Sequence, residues 1–111
     1  MLSLVDNLFK EIPGVADEFA LKYNKFYIGL ARDGIAKNFI SFKPKKNFVW
    51  MNIKCAQDEA FDAKLEESGL DFNYDKRWRQ YMVRVNKMDD YNNNREVINS
   101  LIEVAKEKFN V

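Results

Sequence analysis

Asp58, Asp62 and Glu66 stand four residues apart, with Glu59 and Glu67 beside them, a spacing that lines one face of a helix with carboxylates. Such a row can hold a divalent cation. Asp62-Ala63-Lys64 also has the acid-x-lysine spacing of a metal-dependent nuclease of the restriction type. That motif belongs on a strand, where acid and lysine point to the same side. Here it falls within a helical pattern, so the row reads as a solvated helix face, and no metal site or catalytic residue is assigned. The chain has no histidine, which removes the usual general base near neutral pH and the commonest metal ligand. Ser-His and Cys-His nucleophile pairs are thereby excluded. Cys55 is the only cysteine, so there is no internal disulfide, and a buried, unreactive thiol in a reducing cytoplasm is expected. No cofactor is implied, and the chain reads as a binding or accessory domain rather than an enzyme.

A different chemistry is suggested by Tyr74 to Asn86, YDKRWRQYMVRVN. Tyr74, Lys76, Arg77, Trp78 and Arg79 gather aromatic and cationic side chains in an expected loop, where aromatics stack on unpaired bases and guanidinium groups pair with phosphate. From Gln80 on, Tyr81, Val83 and Val85 alternate with Met82 and Arg84, the pattern of a half-buried strand. Lys43, Lys45 and Lys46 crowd a turn that can touch phosphates, or that solubilises a hairpin tip and guards a sheet edge. Together Lys43, Lys45, Lys46, Lys76, Arg77, Trp78 and Arg79 form the candidate nucleic-acid surface, provided the strand after Arg79 pairs beside the second or third. With 18 basic and 17 acidic residues and a net charge of +1, attraction would be local and weak. Phe48 and Trp50 alternate with Val49 and Met51, so that strand is apolar on both sides. It is either central and covered twice, or it offers Phe48 and Trp50 to another domain or a second copy.

The elements that must position these residues are legible from periodicity. Leu4, Val5, Leu8, Phe9 and Ile12 predict a first helix closed by Pro13-Gly14; its acidic residues do not suit a secretory leader. Val15 to Tyr23 reads as a short helical turn. Three strand-like runs follow, KFYIGLAR, KNFISFKP and FVWMNIKC, joined by Asp33-Gly34 and Lys45-Lys46-Asn47, and predict an antiparallel meander. Phe26, Ile28 and Leu30 are expected on its core face, with Ile40, Phe42, Val49, Met51 and Ile53. AQDEAFDAKLEESG predicts a helix with Asp58 or Gln57 near its start and Gly69 past its end. A fourth strand follows, and NNNREVINSLIEVAKEKFN predicts a last helix with Val97, Ile98, Leu101, Ile102, Ala105 and Phe109 on one stripe. The expected fold is one α+β domain over residues 1–111, about four mainly antiparallel strands with helices on one face, in the order α-β-β-β-α-β-α.

Tyr27-Ile28, Asn38-Phe39 and Lys43-Pro44-Lys45-Lys46, followed by a helix, a strand and REVINSLIEVAKEKF, carry a resemblance over roughly Asn24 to Phe109. The pattern resembles a bacterial and archaeal domain of unknown function described as a predicted transport protein. Trp78 matches the tryptophan of a glycine-rich turn in that family, whose remaining motif is replaced here by FNYDKRWRQY. The resemblance implies an accessory module near nucleic acid, often C-terminal in restriction- or nuclease-associated proteins and without catalysis of its own. The chain is also similar in outline to the double-wing DNA-binding domain. Neither comparison implies a membrane, and no run approaches spanning length.

Overall fold

The computed structural model describes residues 2–111. Its strands form a single seven-stranded antiparallel sheet, which corrects the expectation of about four strands in the order α-β-β-β-α-β-α. In chain order the elements are α1 (Leu2–Glu11), β1 (Ala20–Tyr23), β2 (Ile28–Arg32), β3 (Ile35–Ala36), β4 (Ile40–Pro44), β5 (Val49–Lys54), α2 (Glu59–Ser68), β6 (Phe72–Asp75), β7 (Gln80–Val85), α3 (Met88–Asn92) and α4 (Arg95–Phe109). The sheet order is β1-β2-β4-β5-β7-β6, with β3 paired to β2.

The additional strands are short or lie at an edge. β1 occupies part of the stretch expected as a helical turn, and only Leu21 of its four residues is even half-buried. β3 is two residues long, and β6 takes Tyr74 and Asp75 from the start of the expected loop before Gln80 into the outer arm of a hairpin, while residues 76–79 form its turn. An edge strand takes its hydrogen bonds from one neighbour and buries little, so its sequence lacks the alternation that marks a central strand. Phe26 is likewise corrected: it precedes β2 and is 72% exposed rather than in the core.

The core lies between one face of the sheet and the helices. Ile28 and Leu30, Ile40 and Phe42, Val49, Met51 and Ile53, and Tyr81, Val83 and Val85 point into it. They meet Leu4, Val5 and Leu8 of α1, Leu65 of α2, Tyr91 of α3 and the Val97–Ile98–Leu101–Ile102–Ala105 stripe of α4. Such one-sided burial is what the two-residue period of a strand and the wider period of a helix permit. The opposite face of the sheet is left open.

The β2–β3 hairpin turns on Asp33 and Gly34, whose φ values of 55° and 78° suit a tight two-residue connection. The chain then leaves the ladder. Ile28 faces Phe42, three residues further along than the Ala31↔Ala36 pairing would set. The detour sends Phe39 into the core, its ring 5.2 Å from that of Phe19, and its side-chain neighbour repairs the gap. Asn38 Oδ1 accepts from the Leu30 N–H at 3.0 Å while the Lys37 N–H donates to the Leu30 carbonyl at 2.8 Å.

Candidate functional site

On the open face, residues paired across the ladders stand in rows. Ser41, Asn52 and Met82 form a central row, flanked by Lys43, Trp50 and Arg84 toward one end and by Lys54, Gln80 and Asp75 toward the other. The centre is low because it is built from small residues: Gly29 has no side chain, and Ser41 and Asn52 are short and buried. Larger groups rise around it. Phe26 and Tyr27 stand on one side and Trp78 on the other, enclosing a groove of about 680 Å³ whose lining also includes Asn38, Lys43, Lys54, Gln80 and Met82, with Phe109 of α4 at its margin.

The charge of this face differs from that of the whole chain. Within the strands the only acid is Asp75, whereas Lys22, Lys43, Lys54 and Arg84 occupy positions aligned with the open side. The remaining acids lie in helices and connections, so a near-neutral chain carries a basic sheet face. Asp75 itself is occupied by the β6–β7 turn, its Oδ1 accepting from the Arg77 and Trp78 N–H groups at 3.0 and 3.2 Å. That turn closes with Arg79 at φ 52°, a left-handed conformation uncommon for a residue with a side chain. It holds Trp78 57% exposed, with Lys54 Nζ 5.6 Å and Arg77 Cζ 5.4 Å from its ring centre, where a cation is attracted by the ring face.

Of the residues singled out from sequence, Lys43 and Trp78 line the same groove, and Lys76, Arg77 and Arg79 are exposed beside Trp78. Lys45 and Lys46 are exposed at the β4–β5 tip, next to the Pro44↔Val49↔Val85 end of the ladders. The β6–β7 turn adjoins the other end, where Lys54 faces Gln80. Val49–Lys54 separates the two ends by about 17 Å of strand, so the two basic segments flank the face instead of merging. Tyr74 is not part of the surface cluster: its hydroxyl donates to the Cys55 carbonyl at 2.7 Å and its ring packs 4.8 Å from Tyr81. Phe48 and Trp50 lie half-buried at the tip end of the open face, edge to face at 5.6 Å, with the Arg84 guanidinium 3.9 Å over Phe48.

The carboxylates of α2 have local partners. Asp58 caps the helix, its Oδ1 accepting from the Ala60 N–H at 2.7 Å. Asp62 accepts from the Tyr81 hydroxyl at 2.8 Å and from Gln57 Nε2 at 3.3 Å. Glu66 and Lys64 are exposed, and among the described residues no group of three or more His, Cys, Asp or Glu is arranged to hold a metal ion. Tyr81 also accepts from the Asp58 N–H at 2.9 Å, so one buried hydroxyl fastens the start of α2 to β7. Burial raises its pKa, and the neighbouring Asp62 carboxylate adds to the shift. Tyr81→Phe is expected to lower stability by about 1–2 kcal/mol, because it leaves the Asp58 N–H without this acceptor; a urea titration beside wild type checks it.

Sequence reasoning missed Tyr27, Asn38, Ser41, Asn52 and Lys54 as parts of one site. A signal was present in Ser41 and Asn52: a serine and an asparagine in the middle of otherwise apolar runs are unfavourable for a strand covered on both faces. Among the described residues no helix is long and apolar enough to cross a membrane. No family model, curated protein or solved structure matches this chain.

Proposed function

We propose that the chain is a non-catalytic binding module that takes single-stranded nucleic acid on its open sheet face, serving as an accessory domain of a larger bacterial or archaeal protein. The observation that carries this reading is the union of an exposed tryptophan, two further aromatics and lysines in one groove on a face whose strands hold a single acid. Bases stack on exposed aromatic rings without regard to sequence, and cations along the margin follow the phosphates. Arg77, Lys76 and Arg79 serve the backbone beside Trp78, while Lys45 and Lys46 mark the far end of the strand's path. Phe48 and Trp50 suit contact with a neighbouring domain, since aromatic residues and arginine are enriched at such interfaces.

Trp78→Ala is expected to weaken binding of a short single strand by about 1–3 kcal/mol. Arg77→Ala is expected to reduce the slope of log affinity against log salt by about one phosphate contact. Fluorescence titration with single- and double-stranded oligonucleotides at low salt tests both. If the intact chain binds neither and its tryptophan emission does not change, the reading fails.

A further inference from the structure

The groove floor has a more specific feature than its charge, and the inference drawn from it rests on the single-strand reading above. Asn52 sits at the centre of the open face between Ser41 and Met82. It is 7% exposed, and its Oδ1 has no hydrogen-bond partner. Buried carbonyl oxygens are almost always paired, and an unpaired one is a standing cost to the fold that a donor supplied by a ligand removes. The last torsion of an asparagine side chain is soft, so a half-turn that exchanges the buried oxygen with the amide nitrogen presents the oxygen to the groove the residue lines.

Lys43 and Lys54 occupy the rows on either side of the Ser41–Asn52 row, and both line the groove. With the Lys43 side chain exposed at one margin and the Lys54 ammonium over the Trp78 ring at the other, the groove can offer a donor, an acceptor and a donor in sequence once both lysines turn inward. The imide edge of thymine or uracil carries the complementary order, carbonyl, N3–H, carbonyl. The pairing edges of adenine, cytosine and guanine do not. We propose that the groove takes one unstacked thymine or uracil of a single strand, with N3–H donating to Asn52 Oδ1, the two carbonyl oxygens directed to Lys43 and Lys54, and the ring against Trp78.

The test uses the whole chain at low salt, titrated with a short oligothymidylate, the same strand methylated at N3, an oligoadenylate and free thymidine monophosphate, followed by tryptophan emission. The thymine strand is expected to bind about tenfold more tightly than its N3-methylated form, the worth of one hydrogen bond, and more tightly than the adenine strand or the free nucleotide. Asn52→Leu replaces an unpaired buried amide by an apolar group of similar size; it is expected to raise the melting temperature while making the thymine and N3-methylated strands bind alike, at the weaker affinity. Lys54→Met, at a half-buried position, is expected to reduce the preference for thymine over adenine and supplies the same reading should the leucine variant not fold. Equal affinity of wild type for the thymine and N3-methylated strands overturns the base assignment and leaves strand binding standing. Free nucleotide binding as tightly as the strand overturns the strand as its source. Absence of binding to every strand overturns both proposals.

Discussion

Gly29→Ala is expected to lower stability by about 2–4 kcal/mol, although it adds a single methyl group in a strand. A Cβ at this position would come within 2.2 Å of Asn38 Oδ1 and 3.2 Å of the Tyr27 ring. Side chains with free ends usually swing aside, but this one has a structural duty. Asn38 Oδ1 is the acceptor of the Leu30 N–H at 3.0 Å, at the point where the detour between β3 and β4 removes the ladder partner. Displacing it leaves that N–H unpaired beside the core and lets Tyr27, a wall of the groove, shift. Asn38→Ala loses the same acceptor without the collision. In the cycle of the two single variants and the double, the double variant should therefore be little worse than Asn38→Ala alone. Urea titrations of the four proteins measure this; additive losses would show that the glycine is needed for another reason.

Raising the pH is expected to destabilise the fold in two stages. Burial pushes the Cys55 thiol from its ordinary 9.0 up to about 11, with Lys108 opposing part of the shift. Below pH 9 the thiol is protonated in both states and the fold keeps the full contribution. Between pH 9 and pH 11 the unfolded chain releases the proton while the folded chain retains it, so stability falls as pH rises. The loss reaches about 3 kcal/mol when the folded thiol also ionises, at about 1.4 kcal/mol per pKa unit. Tyr74, Tyr81 and Tyr91 are raised from 10.0, in each case chiefly by burial, so their contribution is lost above pH 10 and extends the decline. Urea midpoints from below pH 9 to above pH 11 should fall through this range. Cys55→Ala should flatten the first stage and spare the second. A midpoint constant across the range, or an unaltered slope in the variant, would contradict the assignment.

The last helix illustrates how much of the architecture was written locally. Its stripe from Val97 to Ala105 is buried as its spacing requires, and α2 begins at the Asp58 cap and ends at Gly69 in the left-handed conformation, φ 77°, because caps act within a single turn. The central strands β4, β5 and β7 were equally plain, since each has one face that must be apolar. β1, β3 and β6 were not, for an edge strand is defined by the neighbour it pairs with.

By itself, the amino-acid sequence determined which chemistry is absent and which side of each long element is buried. Having no histidine and one cysteine excludes the common nucleophile pairs, and apolar periodicity identifies the core because both are properties of residue type and local spacing. Only the tertiary structure decided what stands across from what. The antiparallel register placed Ser41 beside Asn52 and Met82, put Lys43 and Lys54 on either side of them, and sent Lys45-Lys46 and Lys76-Arg79 to opposite ends of the sheet. Register is a long-range property, set by how strands distant in sequence bury their apolar faces together. The groove, the unpaired Asn52 oxygen at its floor and the basic open face all follow from it.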